Sequence, residues 1–164
     1  MIAGAREDPV TRGEVMDIHS DSMVGKVCMI TGATSGIGKE AAFQLARRGA
    51  TLVLVGRNQW KCEKTVQEIK EQTGNSSVEY LLADLSYQAH IRDLAQQFKS
   101  RHQRLHVLLN NAGAIVLTRQ QTGDGIERTF ALNHLGYFLL TCLLLDTLKA
   151  SAPARIVNVS SDAH

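Results

Sequence analysis

Lys26-Val27-Cys28-Met29-Ile30-Thr31-Gly32-Ala33-Thr34-Ser35-Gly36-Ile37-Gly38, continuing through Lys39 to Arg48, is the stretch that decides the fold. Val27 to Ile30 form a short apolar run of strand type. Ala41, Ala42, Leu45 and Ala46 then recur at helical spacing. A strand, a glycine-rich turn and a helix in that order place a helix N-terminus where a dinucleotide pyrophosphate can sit. The glycines serve separate needs: a tight turn, close approach of the backbone to phosphate, and close packing of helix on strand. The spacing is Gly-x-x-x-Gly-x-Gly rather than Gly-x-Gly-x-x-Gly. Alone it is a common turn; its flanks give it meaning.

Outward from this stretch the pattern alternates. Strands are expected at Lys26–Thr31, Thr51–Val55, Val78–Ala83, Leu105–Asn110 and Arg155–Ser160. Helices are expected at Gly36–Arg48, Gln59–Gln72, Tyr87–His102 and Asn133–Ala150, with a short one around Asp124–Ala131. Strict alternation implies parallel pairing, right-handed crossovers and helices on both faces. The strands read as nearly continuous apolar runs, as a doubly covered sheet requires. The expected fold is a doubly wound α/β sheet of the Rossmann type, three layers α/β/α, over residues 23–164. The polar, aperiodic residues 1–22 read as a flexible extension, and Met16 or Met23 could equally begin the chain. A fifth parallel strand would normally lead to another helix and strand. The domain is therefore expected to be incomplete at its C-terminus, truncated after that strand.

The 164 residues are 44% hydrophobic and 21% charged, which excludes a disordered chain. No apolar run reaches spanning length, so no transmembrane segment is expected. A formal charge of +2 argues against a nucleic-acid partner. Arg101, His102, Arg104 and His106 cluster, and read as a solvated turn. Cys28, Cys62 and Cys142 have no metal-ligand spacing, and no metal site is expected. Cys28 and Cys142 read as core residues and Cys62 as a free thiol on a polar helix face. Together they point to a reducing, cytoplasmic setting.

Distinctive polar residues fall at strand ends, where open α/β sheets bind ligands. Arg57 and Asn58 follow the second strand, with Arg57 nineteen positions after Gly38. Sites for NAD place an acidic residue near this distance to hold a ribose hydroxyl. Here Gly56 leaves that place empty, and Arg57 offers a planar fork suited to a 2′-phosphate. This favours NADP(H), with NAD(H) the alternative; a solvated arginine in a turn is the plainer reading. Asp84 and Leu85 follow the third strand, where a carboxylate could accept from an adenine amine or simply shape a turn. Asn110-Asn111-Ala112-Gly113 follow the fourth, and Ser160-Ser161 the fifth. His134 reads as structural, because no metal partner or nucleophile is spaced to use it.

Thr31-Gly-x-x-x-Gly36-x-Gly38, then Asn110-Asn111-Ala112-Gly113, Asn133 and Ser160-Ser161, in that order, resemble the short-chain dehydrogenase/reductase family. Leu132-Asn133-His134-Leu135-Gly136-Tyr137-Phe138 and Ala154-Arg155-Ile156-Val157-Asn158-Val159-Ser160-Ser161 are similar to its retinol dehydrogenase-like branch, which acts on lipophilic alcohols, aldehydes and ketones. The resemblance implies that Thr31, Gly32, Ser35, Gly36, Ile37 and Gly38 hold the pyrophosphate and adenosine side. It implies that Arg57 and Asn58 flank the 2′-phosphate, that Asp84 and Leu85 line the adenine pocket, and that Asn111, Ala112 and Gly113 run beneath the riboses. Asn133 would anchor a water in a proton relay and Ser161 would hydrogen-bond the substrate oxygen. The helix Asn133–Ala150 would offer a homodimer contact. The family's general acid is a tyrosine in Tyr-x-x-x-Lys. None of Tyr80, Tyr87 and Tyr137 has lysine at the fourth place, so this stretch alone is expected to be inactive. The alternative is a non-catalytic nucleotide-binding or regulatory module, or the product of a decayed gene. A sugar-nucleotide epimerase fits less well, for want of Gly-x-x-Gly-x-x-Gly.

Overall fold

In a computed structural model, which describes residues 22–161, the glycine-rich stretch leaves strand β1 (Val27–Thr31) and enters helix α1 (Gly36–Arg47). The alternation continues through β2 (Thr51–Gly56), α2 (Gln59–Thr73), β3 (Val78–Leu82), α3 (Gln88–Arg101) and β4 (Val107–Asn110). After a long loop come α4 (Arg128–Phe130), a π-helical turn (Ala131–Leu135), α5 (Gly136–Ala150) and β5 (Arg155–Asn158). Most of the expected 1–22 extension, and residues 162–164, lie outside the described residues.

All strand pairs are parallel, in the order β3-β2-β1-β4-β5. The chain winds outward from β1 to β3, then crosses back to β4 on the other side. The carboxyl ends of β1 and β4 thus form the switch point at which open α/β sheets leave a crevice.

Strand periodicity builds one core on each face. Met29, Val53, Val55 and Leu108 face Leu94 and Phe98 of α3 and Leu140, Leu144 and Leu148 of α5. Cys28, Ile30, Leu52 and Leu54 face Ala42 and Ala46 of α1 and Ile69 of α2. Each fully buried leucine or isoleucine contributes roughly 1.5–3 kcal/mol over an exposed one. β5 differs: all four of its residues are exposed, and it is shorter than the expected Arg155–Ser160.

Local signals set the helix ends. Asn58 caps α2, its Oδ1 accepting from Lys61 N at 2.9 Å, and Gly74 closes that helix in the left-handed region at φ 71°. α3 borrows its cap from elsewhere: Gln88 N donates to Asp124 Oδ2 at 2.9 Å, which fastens the long loop to that helix.

Four readings need correction. Cys62 is fully buried, because Cys62, Thr65 and Ile69 form the stripe that turns α2 toward the sheet, despite that helix's polar composition. Cys142 is exposed, since α5 is apolar nearly all round and its outer face keeps Phe138 and Leu145 in contact with solvent. The basic cluster is a solvated turn only in part: Arg104 is exposed, but Arg101 and His102 pair with Glu79 (3.5 and 2.5 Å), and His106 is buried. Finally, the short and long helices fuse through the π turn. The continuous rod Arg128–Ala150 is long and apolar enough to cross a membrane by length and composition, although its Leu140, Leu144 and Leu148 serve the core.

Candidate functional site

A cavity of about 690 Å³ opens at the carboxyl ends of β1, β2 and β4 and over the turn after β3. Of the residues expected there, Gly32, Ser35, Gly36, Ile37, Arg57, Asn58, Asp84, Leu85, Asn111, Ala112 and Gly113 line it. Thr31 and Gly38 stand behind the wall.

Thr31 explains how the wall is held. Its hydroxyl is fully buried, donates to Leu109 O at 3.3 Å, and accepts from Asn111 N and Ala112 N at 2.9 and 3.0 Å. One donor and two acceptor sites are all a hydroxyl has, and all are used. Asn111 returns the contact: its Nδ2 donates to Thr31 O at 2.9 Å and more weakly to Gly32 O at 3.3 Å. The loops leaving β1 and β4 are therefore one laced unit. Gly38 completes it, because a Cβ there would stand 2.6 Å from Gly32 O.

The start of α1 faces the cavity without a side-chain cap: Ser35 makes no capping bond, and no acidic residue occupies the first turn. The first amides of a twelve-residue helix are left to another acceptor, and the helix dipole favours an anion there. Gly36 adopts φ 54°, and a Cβ on it would meet nothing within 4 Å. It thus needs glycine for its backbone and leaves open space beside these amides.

At the adenosine side, Asp84 is half-buried. Burial raises its pKa, but hydrogen bonds from Ser86 Oγ and Ser86 N (2.6 and 3.0 Å) and the charges of Arg57 and Arg128 hold it below the ordinary carboxylate range. The turn reading of Asp84 therefore holds for Oδ1, and the same carboxylate still borders the cavity. Arg57 is exposed and makes no hydrogen bond or ion pair with another described residue.

Asn133 and Ser161 do not line the cavity. The Asn133 amide pairs with a backbone unit: Oδ1 accepts from Ala114 N and Nδ2 donates to Ala114 O, both at 3.0 Å. Its side chain ties the start of the long helix to the loop after β4. His134 stacks on Phe130 with centroids 5.2 Å apart, in keeping with a structural residue. Sequence reading missed Thr34, Val55, Lys61, Ala83, Ala114, Leu132 and Val159 on the wall. Only Lys61 carries a signal, lying one helical turn beyond Arg57.

A switch-point crevice with free helix amides, an open glycine cradle, a carboxylate and an unengaged guanidinium defines a dinucleotide site, and its residues fit one. The chain belongs to the short chain dehydrogenase family, whose sequence pattern matches residues 26–164 and whose members use nicotinamide coenzymes. It is 51% identical to mouse (Mus musculus) retinol dehydrogenase 12 over 85% of this chain and 44% of that protein. It is 47% identical to human (Homo sapiens) polyprenol dehydrogenase over 85% of this chain and 43% of that one. The chain thus spans less than half the length of these relatives. A solved metagenomic short-chain oxidoreductase in complex with NADP superposes with TM-score 0.76 at 30% identity, over 86% of this chain and 64% of that one.

Proposed function

We propose that this chain supplies the coenzyme-binding half of an NADP(H)-dependent oxidoreductase acting on a lipophilic alcohol or carbonyl compound. The observation that carries the choice of NADP(H) is Arg57. It stands just beyond the carboxyl end of β2, next to Gly56, which leaves empty the place where an NAD site would hold an acidic residue, and it lines the cavity with no hydrogen bond or ion pair to another described residue. A guanidinium so placed suits a phosphate and gives a neutral ribose hydroxyl little reason to be preferred. Lys61, capped into the first turn of α2 and lining the same cavity, adds a second positive charge. The NADP-bound neighbour supports the reading, and the retinol and polyprenol dehydrogenases support a lipophilic substrate.

Within this reading the coenzyme supplies the hydride, and the protein binds and orients. The α1 amides and Gly36 would hold the diphosphate. Asp84 would serve the adenine side, and the laced Asn111–Gly113 segment would support the riboses. The test is Arg57→Ala in the full-length protein, with NADPH and NADH affinities measured by calorimetry. NADPH binding should weaken about tenfold or more, as expected for a lost charge-assisted hydrogen bond, while NADH binding changes little. Equal losses for the two coenzymes would remove the preference.

A further inference from the structure

We propose that Arg128 is a second determinant of coenzyme choice, its guanidinium joining that of Arg57 on the 2′-phosphate; this rests on the coenzyme reading above.

A second cavity, of about 470 Å³, adjoins the first and shares Arg57, Ala114 and Leu132 with it. Arg128 lines this second space together with Arg57. The two come from remote parts of the chain, one after β2 and one opening α4, and the fold brings both within electrostatic reach of Asp84. Neither is consumed there, since neither forms an ion pair with a described carboxylate. Asp84 Oδ1 is instead occupied by Ser86. Glu127, the nearest carboxylate in sequence to Arg128, is also committed, accepting from Thr129 N and Phe130 N at 2.9 and 2.8 Å.

Arg128 is also held in place. Its backbone N donates to Gln120 O at 2.9 Å, and its Nη1 donates to Gln120 Oε1 at 3.2 Å. One guanidinium nitrogen is thereby anchored and the rest of the fork remains for a ligand. Two planar forks bordering one space, neither neutralised, match a dianionic phosphate monoester. A ribose hydroxyl would leave that charge uncompensated.

The experiment uses the full-length protein and two small probes: adenosine 2′,5′-bisphosphate, and adenosine 5′-monophosphate, which lacks the diagnostic phosphate. Calorimetry on Arg128→Ala should show about a tenfold loss for the bisphosphate and a far smaller change for the monophosphate. Arg128→Lys, which keeps the charge without the fork, should fall between; it carries the test if Arg128→Ala fails to fold by circular dichroism. Gln120→Ala separates anchoring from contact, since displacement of the loop would weaken both probes alike. Equal losses for the two probes in Arg128→Ala would overturn the proposal, showing a structural role or a contact to the adenine. If Arg57→Ala weakens the bisphosphate selectively and Arg128→Ala does not, this inference fails while the coenzyme reading stands. If neither changes the ratio, the coenzyme reading fails and takes this one with it.

Discussion

Replacing Thr31 by valine tests the lacing between β1 and β4 with almost no change of shape. Valine keeps the β-branched form and removes one oxygen. That oxygen satisfies two backbone amides, Asn111 N and Ala112 N, and donates to Leu109 O. Valine can accept from neither amide, and water has little room to replace it because Thr31 is fully buried. A buried donor left unsatisfied costs about 1–3 kcal/mol. Asn111 and Ala112 are themselves only half-buried, which places the pair toward the low end, at about 2–4 kcal/mol in total. For a domain of this size each kcal/mol moves the melting midpoint by roughly 2–4 °C. The expected loss is therefore roughly 5–15 °C. Thr31→Ser is the control. It keeps the hydroxyl and gives up one buried methyl, a loss of about 1 kcal/mol. Thermal melts of the two variants in parallel, followed by circular dichroism, decide the matter. If valine proves as stable as serine, the hydroxyl is not what holds the two loops together and the reasoning is refuted.

Two further outcomes follow from the buried groups. His106 accepts the Val27 amide on Nδ1 at 3.0 Å, and burial, with Lys26 and Arg104 nearby, lowers its pKa below the ordinary histidine value. The unfolded chain therefore takes up the proton first. Stability should be fully present above about pH 6.5 and decline as pH falls toward the folded pKa, a decline that His106→Gln should flatten in pH-dependent urea melts; equal acid sensitivity in that variant would refute it. Among the thiols, Cys142 should react rapidly with a disulfide reagent, whereas Cys28, pushed up to about 12 by burial, and Cys62, also raised by burial, should react only on unfolding. A fast reaction that survives Cys142→Ser but disappears in Cys62→Ser would contradict the burial of α2's inner stripe.

The fold was legible because its signals are local and redundant. Apolar runs mark the strands, and the glycines mark the crossover from β1 into α1. Most of the cavity wall was legible for a related reason: parallel strands place their carboxyl-end residues together wherever the sheet order reverses. What escaped depends on which face a helix turns inward. α2 is so polar that its buried stripe of Cys62, Thr65 and Ile69 passes for surface, while α5 is so apolar that Cys142 passes for core. The π-helical turn around Asn133 also escaped, because no periodicity of 3.6 announces it. The nearness of Arg128 to Arg57 depends on how the loop before α4 folds back, secured by the Asp124 cap on α3. Nothing in the spacing of the two arginines reveals it.

The switch point also dictates which groups remain for a ligand. Where β1 and β4 end, the ladder between them stops and the amides beyond it need other partners. The protein meets that need from within: Asn111 N and Ala112 N are satisfied by Thr31, and Ala114 N by Asn133. These three donors are already engaged and are not left for a ligand. Under the coenzyme reading, binding strength draws on groups the fold leaves uncommitted, among them the first amides of α1, the Arg57 guanidinium and the outer edge of Asp84. The first suits a diphosphate, the second a further phosphate, and the third an exocyclic amine.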